Sequence, residues 1–225
     1  MKKIGFIGAT DKTDMIVYVA KIVKEIGKKV LVIDSTILGK ARYIVPTISP
    51  SRLYITSFEE IDVAVGFKSV EEIKDYLGVQ ELDYDVILMD IDSPEEFERL
   101  NAERNDKNYF VTTFDNYSLK RGLEIIGKRE EKVLMTKVMF SKEMLKEEED
   151  YLNFLSFYYS LQWTKEKVYF PFELGDASVI IENERAAKIR FRNLSYEYKQ
   201  GLEELAIQII PDVKSSIIRK TIKSI

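Results

Sequence analysis

Short, near-continuous apolar runs recur along this chain, separated by segments of helical periodicity, and that alternation leaves few folds open. The first run, Lys3-Ile4-Gly5-Phe6-Ile7, reads as a buried strand, and Ile16, Val19, Ala20, Val23 and Ile26 then share one face of a helix. Gly27 closes the helix, and Lys28-Lys29-Val30-Leu31-Val32-Ile33-Asp34 is a second strand with an acid at its carboxyl end. Such a unit has the length of a parallel βαβ crossover.

Further strands are expected at Ile61–Phe67, Tyr84–Asp90, Tyr109–Thr113, Lys132–Phe140 and Val168–Pro171. Helices are expected from Ser69 to Leu77, where Ser69 and Glu72 form a capping box, and briefly after Ser93-Pro94. Others follow over Asn116–Ile126, from near Lys142, and over Asn193–Ile210. Residues 40 to 60, with Pro46 and Pro50, read as a long connection holding one short strand at Leu53-Tyr54-Ile55. The fold class is α/β, a mostly parallel sheet with helices on both faces.

The region from Ser141 to Trp163 reads as helical and is dense in aromatics: Tyr151, Phe154, Phe157, Tyr158, Tyr159 and Trp163. Core covering one side of the sheet is the favoured role, and an exposed docking face the alternative.

At 225 residues and 45% hydrophobic content the chain suits one α/β domain, residues 1–210, followed by a tail, 211–225. Its 34 basic and 38 acidic residues are interspersed, so nucleic acid is not the expected partner. With no cysteine and no histidine, disulfides, thiolate or zinc sites and Ser-His-Asp chemistry are excluded. The N-terminus runs directly into a strand and no stretch reaches the length of a spanning helix, so a cytoplasmic protein is expected.

The candidate site is the loop Gly8-Ala9-Thr10-Asp11-Lys12-Thr13-Asp14. A phosphate-binding loop curls on glycines so that backbone N–H groups point inward, a Lys reaches the terminal phosphates, and a Ser or Thr ligates Mg²⁺. Lys12-Thr13 supplies the last two in order. The usual pattern places five residues between its first Gly and the Lys, whereas only Ala9, Thr10 and Asp11 intervene here. Asp11 and Asp14 also put carboxylates at a helix N-terminus, where each would oppose a phosphate charge at 5 Å by about 3 kcal/mol at an effective dielectric near 20. With nothing bound, Asp11 is expected as the N-cap and Asp14 as a favourable first-turn acid.

Taken in order, several segments resemble the ParA/MinD family of deviant Walker ATPases from Met1 to about Ile210. They are Lys2-Lys3-Ile4-Gly5-Phe6-Ile7-Gly8 into Lys12-Thr13; Gly27 through Asp34; and Tyr84-Asp85-Val86-Ile87-Leu88-Met89-Asp90 through Pro94. Val111-Thr112-Thr113 with Ser118-Leu119, and Pro171-Phe172 before Ser178-Val179-Ile180, complete the set. The resemblance implies nucleotide at the strands' carboxyl ends and often an ATP-dependent dimer. Gly8, Lys12, Thr13, Asp34 and Asp90 are the implied cofactor-binding residues, with Thr13 and Asp90 toward Mg²⁺. Simple strand-end solvation or helix capping is the competing role for Asp34 and Asp90.

The chain departs from the family where Ala9 replaces the lysine that reaches across the dimer, where no glycine follows Gly8 in the loop, and where Ser35-Thr36 follows Asp34 in place of a further acid. Thr136-Lys137 also stands where an Asn-Arg pair commonly frames the base. Phosphoryl transfer depends on positioning and charge neutralisation, so no catalytic residue is assigned. No cofactor is expected, or ATP with Mg²⁺ if binding is retained. The loop resembles that of the TadZ/CpaE branch, which commonly adds a receiver-like domain and localises pilus or secretion machinery. The expected role is a non-hydrolytic scaffold with a protein partner or a homodimer; an active ATPase for DNA or cargo partition is the alternative.

In the tail, Val213, Ile217, Ile218, Thr221, Ile222 and Ile225 share one helical face, with Lys214, Arg219, Lys220 and Lys223 around it. Such a basic amphipathic helix can lie on the inner face of an anionic membrane, or dock on its own sheet.

Overall fold

A computed structural model describes residues 1–46, 51–141 and 146–225. Its eight strands are β1 (Lys2–Ile7), β2 (Val30–Asp34), β3 (Tyr54–Phe58), β4 (Ile61–Val65), β5 (Val86–Ile91), β6 (Lys107–Thr112), β7 (Val133–Ser141) and β8 (Leu161–Pro171). They form one sheet in the order β3-β4-β2-β5-β1-β6-β7-β8. All neighbours pair in parallel except β3 and β4, joined by a tight hairpin whose Glu59 and Glu60 both take positive φ, 51° and 65°. The helices are α1 (Thr13–Glu25), α2 (Ala41–Ile44), α3 (Val70–Leu77), α4 (Pro94–Arg99), α5 (Asn116–Ile126), α6 (Lys146–Ser156), α7 (Leu174–Arg185), α8 (Tyr196–Ile209) and α9 (Ser215–Ser224).

The near-continuous apolar strands serve two cores, because successive side chains of a strand point to opposite faces. Val30, Val32, Val86, Leu88, Tyr109 and Val111 pack beneath α1, α8 and α9. Leu31, Ile33, Ile87, Met89 and Phe110 pack beneath α3, α4, α5 and α6. The predicted capping box forms at α3, where Ser69 Oγ accepts from the Glu72 amide at 3.0 Å and Glu72 reaches back to the Lys68 amide at 2.7 Å.

Helix α1 follows β1 on one face of the sheet, whereas α5 follows the adjacent β6 on the other. Their loops therefore part at the carboxyl ends of β1 and β6, the crevice where open α/β sheets hold ligands. Gly8 sits there under steric constraint, since a Cβ on it would lie 2.0 Å from the Val111 carbonyl oxygen.

Several expected boundaries shift. The helical reading from Ser141 to Trp163 is too long: α6 ends at Ser156, and β8 begins at Leu161, well before Val168. The expected helix start near Lys142 lies outside the described residues, as does Pro50 of the long connection. Of the aromatics, Tyr159 and Trp163 pack on the core, but Tyr151, Phe154, Phe157 and Tyr158 are exposed. The favoured core role thus holds for only part of the group. Helices α2 and α7 have no counterpart in the sequence reading.

The tail forms α9. Its Ile218 and Ile222 are buried against the layer containing α1 and α8, and Arg219 donates to Glu203 Oε1 at 3.0 and 2.8 Å.

Candidate functional site

The loop after β1 turns Lys12 inward. Lys12 occupies the N-cap position of α1 with φ −141° and ψ 2°, and its ammonium donates to the Gly8 carbonyl at 2.9 Å. The same ammonium lies 2.7 Å from Asp90 Oδ1, with both side chains only 1% exposed. Oδ2 accepts from Thr13 Oγ1 at 2.8 Å. Burial pushes the Asp90 carboxyl above the usual carboxylate range; Lys12 opposes that rise and the neighbouring Asp34 adds to it.

Asp34 pairs in register with Asp90 across β2 and β5, yet its oxygens are committed elsewhere. Oδ1 accepts from the Thr36 amide at 3.0 Å and the Thr36 hydroxyl at 2.6 Å, and Oδ2 accepts from the Ala41 amide at 2.8 Å. Asp34 thus folds the β2–α2 connection and satisfies the start of α2. It is buried, so its strand-end role is helix organisation and not solvation. Asp92 tethers the same connection by accepting from the Ile37 amide at 3.0 Å.

The two loop acids meet Lys40, a residue the sequence reading did not single out. Lys40 Nζ lies 2.8 Å from Asp11 Oδ2, 3.6 Å from Glu184 Oε1, and in close contact with Asp14. Asp11 also accepts from the Thr13 amide at 3.2 Å, which makes it an Asx-turn acceptor one position before the N-cap Lys12, and not the N-cap expected. Asp14 stands in the first turn as anticipated. Its carboxyl is raised to about 7, by burial above all, with Lys40 opposing and Glu184 reinforcing. Burial works against the Lys40 charge, but Asp14 and Asp11 outweigh it and raise the lysine further. The available signal for Lys40 was charge: two acids at a helix start with no basic partner nearby in sequence except Lys12.

Gly8, Lys12, Asp90 and Thr13 are therefore linked in a chain of contacts, with Asp34 beside Asp90. Lys12, Thr13 and Asp90 border a cavity of about 370 Å³ that also takes in Thr36, Lys40 and Tyr43. Lys137 lies elsewhere: its ammonium donates to Glu149 Oε1 and Asn153 Oδ1 of α6, both at 2.7 Å, and sits over the Trp163 ring. Among the described residues no three His, Cys, Asp or Glu side chains converge to hold a metal ion. Thr13 and Asp90, implied toward Mg²⁺, are bonded to each other. At the mouth of the loop stand Asp11 and Asp14, and its lysine is paired with Asp90.

No protein-family model matches the sequence, and no curated protein matches it either. Solved structures do. MinD of Aquifex aeolicus aligns with a TM-score of 0.61 at 16% identity, over 95% of this chain and 98% of that one. The fold is that of the MinD and ParA ATPases. A putative plasmid partition protein of Borrelia burgdorferi B31, solved with AMPPNP, aligns at 0.59 with 12% identity over 94% of this chain and 98% of that one. A ParA family ATPase of Chlorobium tepidum TLS gives 0.53 at 14% identity over 98% and 95%. The MinD/ParA fold is thus present across almost the whole chain, with little of the sequence in common.

Proposed function

We propose that this chain is a ParA/MinD-fold pseudo-ATPase, a scaffold or positioning factor that works without hydrolysing ATP. The observation that carries this reading is the burial of Lys12 between the Gly8 carbonyl and the Asp90 carboxylate. To grip a phosphate, the lysine must give up the buried Asp90 carboxylate, and breaking such pairs costs about 3–5 kcal/mol unless another cation takes the lysine's place. Asp11 and Asp14 add repulsion at the mouth of the same loop.

On this reading Asp90 stands in for an anion, and the retained fold presents surfaces to a protein partner or a second copy of the chain. One of the similar structures is MinD in complex with MinC, which makes a protein partner a reasonable extension. The loop's likeness to the TadZ/CpaE branch suggests pilus or secretion machinery as the cargo. Among the described residues no helix is long and apolar enough to cross a membrane. Peripheral contact through residues 213–225 would require α9 to expose Ile218 and Ile222. The favoured role of α9 is therefore a brace on α1 and α8.

A working ATPase is the second reading, favoured by the Thr13–Asp90 hydrogen bond, which keeps together the hydroxyl and acid that the fold would use toward Mg²⁺. Calorimetric titration of MgATP with a phosphate-release assay, on the wild type and Lys12→Ala, separates the two. Silence in both assays supports the scaffold, and turnover lost in the variant overturns it.

A further inference from the structure

The outer side of α6 carries aromatic residues that the core does not use. Leu152 is fully buried beneath the helix, and Leu155 and Tyr159 pack on the same core. The stripe facing away reads Glu147, Asp150, Tyr151 and Phe154, then Phe157 and Tyr158 in the turn that follows, and all six are exposed. Phe154, Phe157 and Tyr158 keep 55%, 83% and 62% of their surface open. Their turn is ordered by backbone bonds, with the Phe157 amide donating to the Phe154 carbonyl at 3.3 Å and the Tyr158 amide to the Leu155 carbonyl at 3.4 Å. The rings of Phe154 and Tyr158 meet edge to face with centroids 6.3 Å apart. Single exposed apolar side chains are ordinary, whereas a contiguous aromatic patch marks an interaction surface.

The helix is fixed from below. Buried Lys137 of β7 donates to Glu149 and Asn153, Lys167 of β8 donates to Glu149 at 2.7 Å, and Trp163 Nε1 donates to Ser156 Oγ at 3.0 Å. These bonds fasten the inner side of α6 to the sheet, so a partner meets the aromatic stripe in one orientation and loses little entropy in ordering it.

Charge and spacing define the partner. Glu149 is neutralised by Lys137 and Lys167, but the exposed Glu147 and Asp150 make no ion pair among the described residues. Lys146 is the single basic residue of α6, so a second copy of this helix brings one lysine against two acids and does not balance the charge. Positions 147, 150, 151, 154 and 158 follow each other at three- and four-residue steps and form a ridge along the helix. Such a ridge packs into the groove of another helix.

We propose that the outer face of α6 docks a basic amphipathic helix of a partner protein, its apolar side chains on Phe154, Phe157 and Tyr158 and its lysines or arginines at Glu147 and Asp150. The surface lies on the sheet face opposite α1, so it stands whether or not the Lys12 loop takes nucleotide.

Three fluorescein-labelled peptides of about 18 residues, long enough to hold helix, test this by fluorescence anisotropy with the intact chain. One has leucine and lysine in helical periodicity, the second has glutamate in place of lysine, and the third has the leucine and lysine order scrambled. The first is expected to bind saturably and roughly tenfold more tightly than the others. Phe154→Ala with Phe157→Ala, both exposed and so without risk to the core, is expected to weaken it about tenfold, as truncated interface anchors do. Glu147→Gln with Asp150→Asn is expected to weaken it at low salt and much less at high salt. Tyr196→Ala, which removes a 75% exposed aromatic from α8, is expected to leave binding unchanged. No saturable binding, equal binding of the acidic or scrambled peptide, or an equal loss in Tyr196→Ala would overturn the proposal. A dimer in sedimentation equilibrium that Phe154→Ala with Phe157→Ala abolishes would assign the face to a second copy and overturn it as well.

Discussion

Lys12 and Asp90, 78 positions apart in sequence, meet at 2.7 Å in a pocket where each side chain is 1% exposed. The pairing makes the loop after β1 a structural joint between β1, α1 and β5. Lys12→Met should therefore destabilise the fold by about 3–5 kcal/mol at neutral pH, because it strands a buried carboxylate. Burial already pushes Asp90 up, and without Lys12 its carboxyl rises further. A raised acid favours the folded state at low pH and loses that advantage as pH rises through its folded value. The deficit should shrink on acidification, and Lys12→Met combined with Asp90→Asn should recover much of it. Urea denaturation at pH 5 and pH 8 checks both statements.

Asp14 gives a separate pH signature. Its folded value of about 7 lies above the ordinary carboxylate value of 3.8, so between these the folded chain holds more protons than the unfolded one. The contribution is fully present below the unfolded value and lost as pH rises through about 7. The slope reaches at most about 1.4 kcal/mol per pH unit. Lys40 is raised in the folded state, and its contribution is lost only in the alkaline range, outside this window. Stability of the wild type relative to Asp14→Asn should fall from pH 4 to pH 8, as measured by denaturant unfolding.

The tail predicts a mutational contrast. Ile218 is fully buried beside α8, so Ile218→Ala should cost about 2–5 kcal/mol. Lys220 and Lys223 are exposed, and Lys220→Glu with Lys223→Glu should leave stability nearly unchanged. A docked tail also predicts no sedimentation with anionic liposomes. Salt-sensitive pelleting abolished by the double charge reversal would instead assign the tail to a membrane surface.

The fold was largely legible because short apolar runs and helix caps are local: the runs over Val30–Asp34 and Val86–Ile91, buried throughout, and the Ser69 cap specify their elements directly. α7 escaped because its residues Leu174–Arg185 show no clear amphipathic stripe, and α2 because Asp34 and Thr36 hold the connection that starts it. At the site, Gly8, Lys12, Thr13 and Asp90 could be named from order along the chain. The partners of those residues could not, since Lys40 meets Asp11, Asp14 and Glu184 only through folding of three separate segments. Lys137 illustrates the same limit. Its place in β7 was legible, but its turn toward Glu149, Asn153 and Trp163 depends on how α6 packs.

The most direct test of the central claim is calorimetric titration of the intact chain with MgATP, coupled to a phosphate-release assay. The buried Lys12–Asp90 pair predicts no saturable heat and no phosphate above background, with Lys12→Ala giving the same blank result. Saturable binding with turnover that disappears in Lys12→Ala would mean that the lysine leaves Asp90 for phosphate, and would contradict the pseudo-ATPase account.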